Sequence, residues 1–387
     1  MNILLLSQFF STTKGGGEYV FNLIAKSLSE QGHLVWVITN KVKNEVYPVQ
    51  KNINFTFVPP LLEYKGGLPL GFYENITYVI NAINKGLQII KNEKIDIIHS
   101  NNFSPALAGS ILSALSGKPH ITTVHDVFSL CGKNYWKLWG KQTKSSRINV
   151  MLAPFFEKMI VKSKCAAIHT VSEATKEDLL RMGTKKPIYV IPNSIEVGRT
   201  IILESIPFQF IYIGRLVFYK NLEVVIKAIG LVKKTYPKIL LLIVGDGPHR
   251  ENLQKLVMDL NLEENIKFFG FVSNEEKLKL LATSQALVFP SLCEGFGLVI
   301  LESFAQKKPV LVSNVQPLSD IVSDKITGLV IDPHDEIKWA ENIIDIIRNP
   351  DKTKKMGDAG NDILKKKYSV ENMEKMILEM YNAINKI

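Results

Sequence analysis

The chain has 387 residues, of which 46% are hydrophobic and 22% are charged, and its formal net charge is +10. This length and composition are typical of two α/β domains with full cores, and they argue against extensive disorder. No apolar run approaches the roughly 18 to 20 residues needed to span a bilayer, and the apolar start has neither a basic leader nor a cleavage site. We therefore expect a cytoplasmic protein.

The excess of positive charge lies in the first half of the chain. Residues 1–200 hold 23 Lys and Arg against 13 Asp and Glu, whereas residues 201–387 hold 24 against 24. An acidic substrate or surface is therefore expected to meet the first half. The three cysteines include no Cys-x-x-Cys pair, which fits a reducing cytoplasm.

The first half alternates apolar strands with helical patterns. Asn2 to Ser7 is predicted to be a strand, and it is followed by a loop with three consecutive glycines and by a helix that ends at Gly32. Further strands are predicted at Leu34 to Thr39, Ile95 to His99, Ile121 to Val124 and Ala166 to Val171. This run of βα units predicts a mostly parallel sheet with helices on both faces.

Two candidate sites follow strands of this sheet. The glycines Gly15 to Gly17 differ from the dinucleotide fingerprint Gly-x-Gly-x-x-Gly, so they form either a flexible turn or a ligand loop at the carboxyl end of the first strand. His125 and Asp126 follow the strand that ends at Val124, and a lone histidine there is either structural or functional. The histidines show no metal-ligand spacing and no Asp-x-Asp occurs, so no metal site is predicted.

A second βα series begins at Phe208 to Ile213, after an irregular stretch that we interpret as a linker. The next loop carries Arg215 and Lys220, two cations that are either solvated or placed to flank one diphosphate. The next strand is predicted at Leu240 to Val244, and the turn Gly245 to Pro248 that follows it is interpreted as structural and not catalytic. Later strands are predicted at Ile266 to Gly270, Ala286 to Phe289, Lys308 to Val312 and Gly328 to Ile331, and helices end the chain.

The stretch Phe289-Pro-Ser-Leu-Cys-Glu-Gly-Phe-Gly-Leu-Val-Ile-Leu-Glu302 joins a buried strand to a helix through a glycine loop. If the helix begins at about Phe296, the residues of its first turn have unpaired N–H groups that point at the loop, namely Phe296, Gly297 and Leu298. Glycines in such a loop let a phosphate approach the backbone, where the helix dipole favours negative charge. Glu294 and Glu302 are either solvated acids or ligands for different parts of one molecule.

The Glu-Gly-Phe-Gly sequence, with a second glutamate eight positions after Glu294, resembles the signature of the retaining glycosyltransferases of family 4. The Gly15 to Glu18 loop, His125-Asp126, Arg215 with Lys220, and Gly245 to Pro248 stand in the order expected for that family. This resemblance spans nearly the whole chain. It implies the α/β GT-B fold, with two Rossmann-like parallel-sheet domains that face a central cleft.

The resemblance implies an acceptor-binding domain at residues 1–200 and a nucleotide-sugar-binding domain at residues 201–369. The last helix, at about 370–387, is expected to pack back on the first domain. By the same resemblance the catalytic residues are His125, Asp126, Arg215, Lys220 and Glu294. The implied donor-binding residues are Gly16, Gly17, Arg215, Lys220, Gly270, Phe271, Val272, Glu294, Phe296, Gly297, Leu298 and Glu302. Among them, the resemblance implies that Glu294 contacts the donor sugar and Glu302 the ribose, with the nucleotide base near the loop from Gly270 to Ser273.

The implied activity is transfer of a sugar, a hexose, from a nucleotide-diphosphate-sugar donor to a glycan, lipid-linked or other hydroxyl acceptor, without a cofactor or a metal. Three alternatives stay open. A sugar-nucleotide epimerase and a glycan phosphorylase use the same fold, and a non-catalytic glycan-binding protein would need no turnover. A dinucleotide oxidoreductase is disfavoured because the glycine fingerprint with its ribose-binding acid is missing.

Residues 133–164 carry eight Lys or Arg against the single acid Glu157, interleaved with aromatic residues. Such a stretch suits an anionic membrane surface, which predicts peripheral contact with the inner face of the cell membrane. A solvated helix with a buried apolar face of Val150, Phe155 and Met159, or a phosphorylated soluble acceptor, would also explain it. Nucleic acid is not expected as a partner, because no recognition motif accompanies the charge.

Overall fold

The computed structural model describes residues 1–10, 15–43, 45, 47, 50–63, 71–132, 134–145, 147–198, 200–201 and 203–385. The chain divides into two compact units. The first contains Met1–Trp136, Ser146–Ser194 and Val370–Ile387, and the second contains Lys137–Ser145 and Ile195–Ser369. Lys137–Ser145 belongs to the second unit, although we expected it in the first domain. The boundary between the units lies near residue 195, and we expected it near residue 200.

The first part of the chain alternates strands and helices as far as Val190. In chain order the elements are β1 (Asn2–Leu6), α1 (Gly16–Glu30), β2 (Leu34–Val42), β3 (Ile53–Leu62), α2 (Phe72–Asn92), β4 (Ile97–Ser100), α3 (Ser104–Ser116), β5 (His120–Val124), α4 (Tyr135–Thr143), α5 (Arg147–Lys162), β6 (Ala167–Thr170), α6 (Glu173–Arg181) and β7 (Ile188–Val190). The seven strands form one parallel sheet in the order β3-β2-β1-β4-β5-β6-β7. The predicted parallel sheet is therefore confirmed.

The remainder of the chain repeats the pattern. Its elements are β8 (Gln209–Ile213), α7 (Leu222–Lys233), β9 (Leu240–Val244), α8 (Arg250–Asp259), β10 (Ile266–Gly270), α9 (Asn274–Thr283), β11 (Ala286–Phe289), α10 (Leu298–Ala305), β12 (Val310–Ser313), α11 (Leu318–Ile321), β13 (Gly328–Ile331), α12 (Glu336–Arg348), α13 (Pro350–Lys367) and α14 (Val370–Asn385). The six strands form a second parallel sheet in the order β10-β9-β8-β11-β12-β13. The second predicted parallel sheet is confirmed as well.

The central strands are buried on both faces, as expected for parallel sheets covered by helices. Every residue of β5, β8 and β11 is buried. β8 and β11 are almost continuously apolar, whereas β5 also buries His120, Thr122 and Thr123. In the first unit the apolar side chains of β1, β2, α2 and α3 form one core cluster around Leu4, Ile38 and Tyr78. Packing of these apolar faces accounts for the layered fold.

The strand β3 was not predicted from the sequence. It contains the consecutive residues Pro59 and Pro60, and proline cannot donate a ladder hydrogen bond. The structure resolves this conflict by placing β3 at the edge of the sheet, where it pairs with β2 alone. Edge strands tolerate proline, so the sequence pattern and the observed fold agree.

The last helix, α14, belongs to the first unit. The hydroxyl of Tyr381 lies 2.7 Å from Nδ1 of His99 on β4, and both side chains are fully buried. Ser27 on α1 also donates a hydrogen bond to Glu374 of α14. Buried polar contacts of this kind are costly to leave unpaired, so they hold α14 in a defined position.

Candidate active site

The second sheet has a topological switch point between β8 and β11. Strand order runs from β8 to β9 and β10 on one side, and from β11 to β12 and β13 on the other. In open α/β sheets, ligands bind outside the carboxyl ends of the strands at such a reversal. The loop after β8 carries Arg215 and Lys220, and the loop after β11 carries Glu294. The fold therefore brings these two loops to one edge of one sheet.

Lys220 and Glu294 are in direct contact. The ammonium group of Lys220 forms an ion pair with Oε1 of Glu294, and only 13% and 12% of the two side chains are exposed. The hydroxyl of Ser291 donates to the same oxygen over 2.8 Å, and the ammonium also lies 5.0 Å from the centre of the Phe289 ring. A charge pair with this much shielding keeps a defined geometry, unlike a solvated surface pair.

The loop that contains Arg215 packs against the turn that follows β9. The backbone N–H of Leu216 donates to the carbonyl of Asp246 over 3.0 Å. A Cβ atom at Gly245 would lie 2.0 Å from the carbonyl oxygen of Gly214, and one at Gly247 would lie 2.3 Å from that of Leu216. Both glycines are therefore needed for close backbone packing. The turn therefore has a structural role, as we inferred from the sequence.

The helix after the Glu294 loop begins later than predicted. α10 starts at Leu298 and not at about Phe296, because its N-cap Gly297 has φ +97° and ψ +61°, which is outside helical geometry. The Phe296 side chain is buried, with its ring 5.8 Å from that of Tyr368. The N–H groups of the first turn accordingly belong to Leu298 and its successors, not to Phe296 and Gly297.

Glu302 lies in the second turn of α10 and has a partner that the sequence did not indicate. Lys277 on α9 donates to Oε1 of Glu302 over 2.7 Å. The two side chains are 21% and 23% exposed, so the pair is accessible to a ligand but partly shielded from water. α9 follows the loop Gly270 to Ser273, which links this ion pair to the segment expected near the nucleotide base.

The three predicted donor-binding residues of that loop lie at the end of β10. Gly270 has φ +68°, and its carbonyl accepts a hydrogen bond from the N–H of Gly245 over 2.8 Å. The strand register shifts between Phe268 and Gly270, so the ladder with β9 is irregular there. Phe271 is 68% exposed, and Val272 is half-buried. An exposed aromatic ring at the end of this strand is available to a planar ligand.

The first sheet has its own switch point, between β1 and β4. The predicted residues Gly16 and Gly17 begin α1, and the N-cap Gly15 has φ +74°. A Cβ atom at Gly17 would lie 2.9 Å from Nε2 of His125, so the start of α1 packs directly against that ring. His125 and Asp126 directly follow β5. Gly17 and His125 are therefore neighbours, as the predicted site requires.

The His125 ring is held in place by several contacts. Its Nε2 atom lies 3.1 Å from Oδ1 of Asn101, and the ring centre lies 6.5 Å from that of Phe21. Burial lowers the pKa of His125 to about 4, because an imidazolium would lose its hydration there. The side chain is therefore neutral at neutral pH. A neutral imidazole can donate one hydrogen bond and accept another.

Sequence reasoning missed three polar residues that contact the predicted ones, namely Asn101, Lys277 and Ser291. Asn101 directly follows β4 at the carboxyl edge of the first sheet, and this position was a usable signal. Ser291 is three residues before Glu294, a spacing that was also visible. Lys277 is 25 positions from Glu302, and only the packing of two helices brings them together.

The described residues contain no group of three or more His, Cys, Asp or Glu side chains arranged to hold a metal ion. The expectation that catalysis is independent of a metal remains a prediction. In the same part of the chain, no helix is both long enough and apolar enough to cross a membrane.

Comparison with known proteins gives two family matches. Residues 14–199 match the model of Glycosyltransferase Family 4, and residues 201–362 match the model of Glycosyl transferases group 1. The chain is also 28% identical to an uncharacterized glycosyltransferase of Methanocaldococcus jannaschii, over 100% of this chain and 99% of the relative.

Solved structures share the fold over nearly the whole chain. Sucrose-phosphate synthase from Thermosynechococcus elongatus matches with a TM-score of 0.81 at 20% identity, over 99% of this chain and 98% of that chain. The HepE protein of Anabaena, solved in complex with UDP and glucose, matches with a TM-score of 0.74 at 18% identity, over 99% and 100%. The chain therefore has the GT-B fold and belongs to glycosyltransferase family 4, the glycosyl transferases group 1.

Proposed function

We propose that this enzyme is a retaining hexosyltransferase that moves a sugar from a nucleotide-diphosphate-sugar donor to a hydroxyl group of a glycan or lipid-linked acceptor. The observation that carries the proposal is the shielded Lys220–Glu294 pair at the switch point of the second sheet, beside the first turn of α10. It combines a cation for the leaving diphosphate with a carboxylate for the sugar. The structural relative solved with UDP and glucose is consistent with such a donor.

The departing diphosphate gains negative charge as the glycosidic bond breaks. The ammonium of Lys220 has three N–H donors and uses one for Glu294, so the others can bind phosphate oxygens. We assign Arg215, on the same loop, to the same diphosphate, because a guanidinium can bind two phosphate oxygens at once. With the N–H groups of Leu298 and Val299, these cations would lower the barrier without a metal ion.

The two glutamates divide the donor between them. Glu294 receives both of its contacts, from Lys220 and Ser291, on Oε1, so we assign Oε2 to a sugar hydroxyl. Glu302 receives Lys277 on Oε1, and we assign its other oxygen to the ribose. The base would lie beside the loop that starts at Gly270. Each assignment uses an acceptor oxygen of a side chain that its neighbour already orients.

The first unit is assigned to the acceptor. It holds neutral His125 beside Gly17, and residues 1–200, which form most of it, hold 23 Lys and Arg against 13 Asp and Glu. A neutral imidazole can orient a hydroxyl group, whereas surrounding cations attract an anionic acceptor. Asp126 is placed here as a further polar contact to the acceptor.

A product assay tests the proposed function against its alternatives. Purified enzyme is incubated with UDP-, GDP- or ADP-hexoses, with and without candidate acceptors, and nucleoside diphosphate is measured. A transferase releases diphosphate rapidly only when the acceptor is present. An epimerase instead yields an altered donor sugar, and a non-catalytic binding protein yields neither product. Proton NMR of the glycosidic product then reports the anomeric configuration, and an inverted product would contradict retention.

We also propose that α5 contacts an anionic membrane surface at the inner face of the cell membrane. Its residues at spacings of three and four form one exposed stripe, namely Ile148, Met151, Phe155, Lys158 and Lys162. The first three are 64%, 71% and 62% exposed. A helix with this pattern can bury its apolar end in the headgroup region while its lysines meet anionic lipids.

The one acid of this segment supports the proposal by its position. Glu157 is buried, and its two carboxylate oxygens accept the backbone N–H groups of Phe128 and Ser129 over 2.7 and 2.9 Å. Glu157 therefore does not lie in the exposed stripe, and it does not neutralise the positive charge of the lysines there. The alternative in which Phe155 lies in a buried face is wrong, because the buried residues of α5 are Glu157, Ile160 and Val161.

Only part of the predicted stretch 133–164 supports this contact. Lys133 lies outside the described residues, and Lys137–Ser145 belongs to the second unit, so the proposal rests on α5. Each lysine near an anionic surface contributes about 1 kcal/mol, and salt weakens this attraction.

Sedimentation with liposomes tests the membrane contact. We expect binding to anionic vesicles at low salt, weaker binding at high salt, and little binding to neutral vesicles. The double variant Met151→Ser and Phe155→Ser should lose binding, whereas Leu115→Ser, which changes a similarly exposed leucine on α3, should not. Absence of the protein from both pellets at every salt concentration would remove this contact and leave the transferase function untouched.

A further inference from the structure

The orientation of the Asn101 amide is fixed by its neighbours. The backbone N–H of Asn102 donates to Oδ1 of Asn101 over 2.8 Å, and an N–H group can only donate. The atom that receives it must therefore be the oxygen. The amide nitrogen on the other side donates to the hydroxyl of Ser7 over 3.3 Å. These two partners identify which terminal atom of the Asn101 amide is the oxygen and which is the nitrogen.

This orientation determines which nitrogen of His125 carries the proton. Nε2 of His125 lies 3.1 Å from the same Oδ1 atom, which has no hydrogen to give. The contact is a hydrogen bond only if Nε2 is the donor. Because His125 is neutral at neutral pH, its single ring proton is on Nε2, and Nδ1 has a free lone pair.

The surroundings of the ring leave Nδ1 as the atom that can meet a ligand. Gly17 packs against Nε2 and Cδ2, and a Cβ atom there would lie 2.9 and 3.1 Å from these two atoms. His125 nevertheless remains partly exposed. Among the residues that the structure describes, we find no hydrogen bond to Nδ1. Asn101 itself is anchored, since its backbone N–H donates to the carbonyl of Leu6 on β1 over 2.8 Å.

We infer that Asn101 is a positioning residue that holds His125 in its Nε2–H tautomer, so that Nδ1 accepts a hydrogen bond from a hydroxyl group of the acceptor. This inference rests on the proposed function, because it assigns the hydroxyl to a glycosyl-transfer substrate. The tautomer with the proton on Nδ1 would turn an N–H donor toward that hydroxyl and lose the Asn101 contact. Asn101 thus acts on the substrate through His125.

Nitrogen NMR of the full-length protein, labelled with ¹⁵N-histidine, measures the tautomer without any substrate. The chain has seven histidines, and the His125 signals are identified by their loss in His125→Gln. We expect Nε2 at the protonated position and Nδ1 at the unprotonated position. In Asn101→Ala a mixture of tautomers should replace this pattern, whereas Asn101→Asp keeps an acceptor oxygen and should preserve it. Asn102→Ala, the adjacent control, removes a bond to the N–H of Phe103 and should leave His125 unchanged.

Kinetics provides the second readout. Asn101→Ala should lower kcat by about tenfold or more, a part of the 10²- to 10⁴-fold that a positioned acid–base group contributes, with a smaller change in KM for the donor. Asn101→Asp should recover part of the lost kcat. A wild-type His125 with its proton on Nδ1 would overturn the inference. So would an Asn101→Ala protein with unchanged tautomer and unchanged kcat. Failure of glycosyl transfer by the wild type would instead refute the proposed function, since the NMR pattern does not depend on turnover.

Discussion

The ammonium of Lys277 lies 2.7 Å from Oε1 of Glu302, and the two residues stand on different helices, α9 and α10. This pair is the second carboxylate–lysine contact of the proposed donor site, in addition to that of Glu294 with Lys220. Both glutamates are therefore oriented by a cation before a donor arrives. Preorganised carboxylates lose little freedom on binding, which favours affinity.

Lys277→Met should raise KM for the nucleotide sugar by about tenfold and change kcat less. A hydrogen bond to a charged group contributes about 1.5 to 3 kcal/mol, and part of this is lost when Glu302 can rotate. Steady-state kinetics with varied donor measures the effect. Lys279→Met on the same helix is the matched control, because that exposed lysine pairs with Glu275. Equal effects of the two variants would contradict the role of Lys277.

Glu294→Gln and Glu302→Gln should have different kinetic consequences. The first should mainly lower kcat, because Glu294 is assigned to the reacting sugar and is paired with Lys220. The second should mainly weaken nucleotide binding, because Glu302 is assigned to the ribose. Turnover rates combined with calorimetric affinities for the nucleoside diphosphate separate the two effects. An exchange of the two patterns would show that the roles are reversed.

Local sequence patterns were sufficient for most of the fold. The strands β9, β10, β11 and β13 have the bounds predicted from their apolar runs, since parallel strands that helices cover on both faces favour apolar residues. Loops after those strands could be located for the same reason. The start of α10 was misplaced, because the sequence does not reveal that Gly297 adopts a positive φ.

Contacts that depend on tertiary packing could not be predicted in this way. The pairing of Lys277 with Glu302 requires the placement of α9 against α10, and no periodicity encodes it. The assignment of Lys137–Ser145 to the second unit has the same origin. Asn101 is an intermediate case, because its position after β4 was visible but its contact with His125 was not.

EDTA should leave activity largely intact. Lys220, Arg215 and the first turn of α10 are proposed to neutralise the diphosphate, so a divalent cation is not needed for the chemical step. Initial rates are compared with and without EDTA, and with Mg²⁺ or Mn²⁺ added back. A modest effect would indicate help in product release. Complete loss with recovery on addition of metal would contradict this prediction.

The free energy of unfolding should fall as the pH is lowered from about 6.5 toward 4. Burial lowers the pKa of His33 in the first unit and, more strongly, of four other histidines there, to about 3 for His120 and His169, about 4 for His125, and well below the ordinary 6.5 for His99. These groups stay neutral in the folded state, whereas the unfolded state binds protons below pH 6.5. Protonation therefore favours unfolding across this window.

Each such histidine contributes up to about 1.4 kcal/mol per pH unit. Denaturant unfolding at a series of pH values measures the slope. His120→Gln should reduce the slope by about that amount, whereas His334→Gln, at an exposed position of the second unit, should not. Stability that does not change between pH 6.5 and 4 would show that these histidines are protonated without cost.

Turnover of Arg215→Ala and Lys220→Ala at saturating donor and acceptor tests the central claim most directly. If these cations stabilise the departing diphosphate, each substitution should lower kcat by about two to three orders of magnitude. Thermal unfolding should show that both variants fold, and Lys279→Ala should keep normal activity. Near-normal kcat in both folded variants would contradict the account, because the diphosphate would then be bound elsewhere.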